Sequence, residues 1–374
     1  MKIKKVFNLE TVSKRIAKLG LNQSRIAEEL NVSREAVSKW FNLENQPSAG
    51  KLLKLSKLLQ LTFDEILSYE VQAIPIVNYR KNANAKTSKE DEEFAKEMGN
   101  TLEILVPYFQ NEKLTKPPIL QNPINDYDYI NIIIENLKND LSLNKEKLSV
   151  EEILSIFYKF NCIIIPVLWK ENKRHANALR IYLQESLTTW IYLNLNTKIY
   201  DFKFWIAHEL GHVLAHDLKG DEAESFANNF AGAFLFPQNQ VKELYNKLLN
   251  ETNERNQIDL IIEKGKELFI SPLSVYMQIC AFIEHYNLSE IKLKHLIYKF
   301  NSKFNSYFHT VSFEYFKTEY PSANVYIDFV TKKLNSHFFD YLKKYIQDKS
   351  PTPGFIQNLL DVSFLDAQNI YDAL

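Results

Sequence analysis

Cysteine and glycine are scarce in this chain. Its 374 residues hold two cysteines, Cys162 and Cys280, and eight glycines. The cysteines lie far apart and form no CxxC pair, which excludes a disulfide framework and a cysteine-bound metal. Long apolar runs are missing too. The longest, Cys162 to Trp169, includes Pro166 and falls well short of the roughly 18 residues a membrane helix needs. The first stretch, MKIKKVFNLETVSKRIAKLG, has no apolar region of the secretory kind. These absences predict a reduced, cytoplasmic protein with no membrane partner.

Aromatics, by contrast, are abundant at 13%, within a chain that is 45% hydrophobic and 24% charged. That composition belongs to a globular protein, and the length predicts two or three domains. The net charge of −1 hides a split. Residues 1–68 carry 12 basic and 7 acidic side chains, and residues 69–374 carry 33 and 39. A basic module is therefore joined to an acidic body.

Apolar residues in the basic module recur at helical spacing: Leu9, Val12 and Ile16, then Ile26, Ala27 and Leu30, then Val37 and Trp40. The pattern predicts four or five short helices over 8–68. Gly20 ends the first, Asn22 caps the second and Ser33 the third. The string from Gln23 through Trp40, followed by Gln46-Pro47-Ser48, resembles the XRE/Cro-repressor helix-turn-helix family. The family's glycine after the second motif helix is replaced here by the stretch Phe41 to Asn45, where asparagine can take a positive φ. The resemblance implies double-stranded operator DNA as partner. In such motifs the second helix presents its first residues to base edges, which here are Arg34, Glu35, Ser38 and Lys39. Gln23 and Asn42 would contact phosphates, as would Lys51 and Lys54. A surplus of five positive charges is modest for one copy, so a homodimer on a two-fold site is expected.

Residues 69–125 read as a connector. Ala73 to Val77 is extended, 69–88 holds a joint, and a helix over about 89–112 starts from Ser88 and Asp91. Helices are predicted over Asp126–Leu143 and Val150–Phe160. Three strand-like runs follow, Cys162–Trp169, Ala178–Leu183 and Thr188–Leu195, the first an edge or bulged strand because of Pro166.

Next comes His208-Glu209-Leu210-Gly211-His212 on a predicted helix. Residues four apart lie one turn on and about 40° round, so both imidazoles can reach one Zn²⁺. Glu209 lies beside them, where it can take a proton from water. Candidates for a third ligand are His216, Asp217, Asp221, Glu222 and Glu224. His216, on the same helix, is about 12 Å along the axis from His208, too far without a break. On the following helix Ala223, Ala227, Phe230, Ala231 and Phe234 share a stripe. Glu224 lies at its margin and Glu222 nearly opposite, so periodicity favours Glu224.

HELGHVLAH followed by Glu224, Ala227, Asn228, Phe230, Ala231, Leu235 and Pro237 resembles the ImmA/IrrE metallopeptidase family. The resemblance implies a minimal zincin fold over roughly 140–285, with His208, His212 and Glu224 holding zinc and Glu209 as catalytic base. It also implies a protein substrate, since relatives cleave repressor-type helix-turn-helix proteins. Arg174, His175, Arg180 and Tyr245 remain open as oxyanion stabilisers, and Asp217 or Asn228 as a residue that orients an imidazole.

The expected fold is mostly α with a small β-sheet: a helix-turn-helix bundle over 1–68, a connector over 69–125, a metallopeptidase domain over 126–286 and a helical C-terminal region over 287–374. Phe269 to Tyr276 has the turn and cap of a further helix-turn-helix-like corner. The function expected is a cytoplasmic DNA-binding regulator with zinc-dependent endopeptidase activity, acting on a separate repressor or on its own module. The alternative is a non-enzymatic regulator, or an antitoxin or defence module, whose peptidase-like body senses a ligand or partner.

Overall fold

The computed structural model describes residues 2–42, 45–72, 76–80, 89–109, 120–143, 146–169, 178–318 and 320–374. The chain forms two compact units, Met1–Ile74 and Pro75–Leu374.

In the first unit, β1 (Lys2–Phe7) leads into α1 (Leu9–Lys18), α2 (Gln23–Leu30), α3 (Arg34–Phe41), α4 (Ala49–Leu59) and α5 (Phe63–Ile66), and β2 (Leu67–Gln72) returns antiparallel to β1. The expected caps form: the Asn22 side chain accepts from the Arg25 N–H at 2.9 Å and Ser33 from the Ala36 N–H at 3.1 Å. Asn31, at φ 52°, makes the left-handed turn between α2 and α3. Val12, Ile26, Leu30, Val37, Trp40, Leu55 and Leu59 close one apolar core, with Phe7 and Leu67 of the strands at its edge. The β1–β2 ribbon was not expected. Its strands are short, and its partners lie far apart in sequence, as in Lys2 opposite Gln72.

The second unit opens with β3 (Ile76–Arg80), α6 (Lys89–Glu103) and a tight turn at Val106–Tyr108, then α7 (Tyr127–Asp140) and α8 (Val150–Lys159). The hairpin-bearing segment follows as β4 (Cys162–Val167), β5 (Ala178–Leu183) and β6 (Thr188–Asn194). These strands form one sheet in the order β3-β5-β6-β4, antiparallel except for the parallel pair β4–β6. The stretch read as a connector therefore contributes an edge strand. It also supplies a helix whose Met98 and Leu102 are buried in the main core. Ser88 and Lys116 to Pro118 lie outside the described residues.

The sheet is followed by α9 (Ile199–Leu214), α10 (Gly220–Leu235), α11 (Gln238–Asn250), α12 (Glu254–Leu268) and α13 (Pro272–Tyr286). The chain ends in α14 (Lys294–Ser306), α15 (Val311–Phe316), α16 (Ala323–Lys332), α17 (Phe338–Lys349), α18 (Pro353–Leu360) and α19 (Phe364–Ala373). The corner at Phe269, with φ 58°, turns α12 into α13 at 107° and buries Ile270 and Ser271. No single helix among the described residues is long and apolar enough to cross a membrane.

The aromatic-rich tail shares a single apolar core with the sheet. It also covers β4, the sheet's far edge. The Ser336 hydroxyl donates to the Ile164 carbonyl and the Tyr326 hydroxyl to that of Pro166. Trp169 Nε1 and the Tyr192 hydroxyl donate to Leu360 and Leu359 at 2.9 Å each. Pro166 fits because its missing N–H falls on an edge with no neighbouring strand among the described residues. Burial pushes the Cys162 thiol on this strand up to about 12, so it carries no reactive thiolate.

Two lysines sit inside this unit. Lys203 is 2% exposed and donates to the Leu268 carbonyl at 2.6 Å, which ties α9 to the end of α12. Lys138 lies over the Phe234 ring, 5.3 Å from its centre. Burial pulls each down from 10.5 to about 8. The charged form is thus disfavoured in the fold, a cost that is full below pH 8 and relieved as pH rises from about 8 toward 10.5. Each lysine should add about 1 kcal/mol of stability between pH 7 and pH 9. Urea unfolding of wild type and Lys203→Met at the two pH values measures this. The variant should gain less on going to pH 9, and identical pH slopes would refute the assignment.

Candidate functional site

Helix α9 is inserted between the sheet and α10, so both histidines of its motif are buried, His208 at 0% and His212 at 4% exposure. Helix α10 crosses α9 closely because the contact lacks side-chain bulk. A Cβ built on Gly211 would lie 3.0 Å from the Ala227 Cα and 3.2 Å from the Phe230 ring. Ala223, Ala227, Phe230, Ala231 and Phe234 are all buried, and the Phe226, Phe230 and Phe234 rings stack in succession.

This approach brings Glu224 to the histidines. Its carboxylate oxygens lie 3.1 Å from His212 Nε2 and 3.5 Å from His208 Nε2. One ligand atom from each of the three residues falls within 4.8 Å of the others, and no second such group of His, Cys, Asp or Glu occurs among the described residues. His208 Nδ1 lies 3.1 Å from the Asn228 side-chain oxygen. With that oxygen as acceptor, Nδ1 carries the proton and Nε2 keeps its lone pair toward Glu224 and His212. The donor set, two imidazole nitrogens and one carboxylate, with His208 Nε2 buried and without a hydrogen-bond donor among the described residues, fits a zinc ion.

Glu209 is 3% exposed on the same helix. Arg180, on β5, donates Nη1 to the His212 carbonyl at 2.8 Å and lies in the field of Glu209 and Glu224. Burial lowers its pKa, and the two carboxylates oppose that. Arg180 therefore holds the end of the metal-bearing turn. Tyr245, another oxyanion candidate, is buried and donates its hydroxyl to the Ser289 carbonyl at 3.0 Å. Arg174 and His175 lie outside the described residues. His216 pairs with Asp217 at 3.1 Å, outside the three-residue cluster, as are the exposed Asp221 and Glu222.

In the first unit, Arg34, Glu35, Ser38, Lys39 and Asn42 share the face of α3 opposite the buried Val37 and Trp40. Arg34, Glu35 and Asn42 are exposed, and Gln23 is half-buried at the start of α2. Glu35 and Lys39 pair with each other at 2.8 Å, and the ammonium holds the Glu35 carboxyl below its usual range. Asn42 leaves α3 at φ −90°, so the expected positive φ is not used there. Lys51, also expected on phosphate, donates to the Leu30 and Asn31 carbonyls at 2.7 and 3.1 Å. Its charge satisfies the end of α2, where orphan carbonyls and the helix dipole favour a cation.

Residues 13–66 match the helix-turn-helix family, and residues 163–258 match the IrrE N-terminal-like domain. Over 66 residues the chain is 38% identical to the HTH-type transcriptional activator BcrR of Enterococcus faecalis, a match spanning 18% of this chain and 32% of that protein. No solved structure matches the chain. The chain therefore joins an XRE-type helix-turn-helix at its N-terminus to a domain of the ImmA/IrrE metallopeptidase family.

Proposed function

We propose that this chain is a cytoplasmic DNA-binding regulator whose second unit is a zinc-dependent endopeptidase. Its substrate is a repressor-type helix-turn-helix protein, either a separate one or the chain's own first unit. The observation that carries this reading is the convergence of Glu224 of α10 on His208 and His212 of α9, the helix that also bears Glu209. His208, His212 and Glu224 would hold the metal, with Asn228 fixing the His208 tautomer. Zinc, when bound, supplies a Lewis acid that acidifies water and polarises a scissile carbonyl. Glu209 takes a proton from the attacking water and returns it to the leaving amine nitrogen. Arg180 keeps the His212 turn in place from beneath.

Two measurements test the proteolytic half. Elemental analysis should find about one zinc per wild-type chain and a large loss in Glu224→Ala; near-equal zinc would break the ligand assignment. The zinc-loaded full chain should produce defined fragments, read by mass spectrometry, when incubated alone or with a repressor encoded beside its gene. Intact protein in both incubations would remove the endopeptidase reading.

The DNA half rests on the exposed face of α3, and the likeness to a protein named as a transcriptional activator supports it. A duplex enriched by the wild-type chain from a random library is the probe. Arg34→Ala should weaken binding by about 1–3 kcal/mol and relax preference at one position. Gln23→Ala should weaken binding to all sequences alike. Binding that survives the combined loss of Arg34 and Lys39 would end the DNA assignment.

A further inference from the structure

Helix α8, the start of β4 and α17 line a cavity of about 730 Å³, open to solvent on one side, that none of the metal-site residues lines. Its size is that of a small-molecule site, for which about 300–1,000 Å³ is usual. Its floor is the apolar Leu154, Ile163 and Ile164.

Charge around it is one-sided. Lys159 of α8 and Lys343 and Lys344 of α17 line the cavity, against the carboxylate of Asp340 alone among the described residues. Asp340 stands three and four residues before the two α17 lysines, the spacing at which helical ion pairs form. Its carboxylate is instead turned to His337, 3.0 Å from Nδ1. Among the described residues Lys343 and Lys344 have no ion-pair partner. Clustered cations around a low-dielectric floor raise the local potential and draw in an anion.

The remaining wall is aromatic. Tyr158 is 57% exposed beside it, with its ring 5.5 Å from that of His337. The His337 ring in turn lies 6.4 Å from Tyr341, which lies 4.8 Å from Phe109. A plain polyanion would leave this row of rings without use. A ligand with both phosphates and a flat ring system uses both halves.

We propose that this cavity binds a nucleoside triphosphate, its phosphates held by Lys159, Lys343 and Lys344 and its base stacked on the aromatic row headed by Tyr158. The site joins β4 to the tail, so an occupant stabilises the attachment of α17 to the sheet.

Isothermal titration of the full chain with ATP, GTP and tripolyphosphate, without magnesium, tests this. At least one nucleotide should bind with one site per chain and about tenfold tighter than tripolyphosphate, the gain that base stacking on an aromatic supplies. Tyr158→Ala should erase that advantage and leave tripolyphosphate binding as it was. Lys343→Glu with Lys344→Glu should weaken every anion at least about tenfold by losing charge-assisted phosphate contacts. Lys343→Gln with Lys344→Gln, with its fold checked by circular dichroism, should give a smaller loss of the same kind. The absence of saturable binding would overturn the proposal. So would equal affinity for nucleotide and tripolyphosphate, or binding unchanged by reversal of the two lysines.

Discussion

A Glu209→Gln chain should keep its zinc and stop cutting its substrate. The swap preserves size and most packing at a position 3% exposed, so the fold has little reason to change. Glu209 is not among the three converging ligands, so metal content should stay at the wild-type level. What disappears is the ability to accept a proton from water and deliver it to the leaving nitrogen. General acid–base groups of this kind contribute about 10²–10⁴ in rate, and the loss should fall within that span. The variant also separates the two classes of function. Regulation that persists unchanged in Glu209→Gln would favour a body that senses a partner without cutting it. A variant with wild-type cleavage rate would remove Glu209 from the mechanism.

The second large effect concerns a residue that touches no ligand. Adding one methyl group at Gly211 should weaken zinc binding at least about tenfold, the range seen when groups supporting a metal site are altered. The methyl meets the Ala227 Cα at 3.0 Å, which is backbone and cannot rotate away, and the Phe230 ring at 3.2 Å. Helix α10 must then retreat from α9 by a few tenths of an ångström, taking Glu224 with it. Stability should change less than metal affinity. Overpacking costs about 1–3 kcal/mol, while replacing a mid-helix glycine by alanine returns about 1 kcal/mol of helix propensity. Gly211→Val should disrupt both, since its branch adds bulk without that gain. Competition with a chelator, alongside urea unfolding, distinguishes the two effects. Unaltered zinc affinity in a folded Gly211→Ala chain would show that the helix contact does not position Glu224.

Much of this site was legible from local pattern. The four-residue histidine spacing and the alanine stripe of α10 are periodic features, and periodicity survives folding because a helix is a local structure. The caps at Asn22 and Ser33 are equally local. Pro166 marked an edge strand correctly because its missing N–H is a property of one residue. What escaped depends on distant partners. Strand β3 pairs with residues about a hundred positions later, Ile76 with Tyr182, and nothing nearby in sequence signals it. Lys51 displayed a charge suited to phosphate, and its contact with the end of α2 depends on how α4 packs. The need for glycine at 211 comes from its neighbours Ala227 and Phe230 on α10, which the motif itself does not display. Arg180 was a candidate for oxyanion binding on charge alone, and its contact with the His212 carbonyl requires the sheet-to-helix geometry.

The tail's bonds to β4 bear on how such a chain can be divided. The stretch alike to the IrrE N-terminal-like domain ends at residue 258, yet Tyr326 and Ser336 satisfy carbonyls on a strand within it. A fragment cut at 258 would expose an open sheet edge, a template for pairing with other chains. The portion recognisable by kinship is thus smaller than the portion that folds. A module moved between proteins would have to carry α16 and the turn before α17 along with it to keep that edge covered.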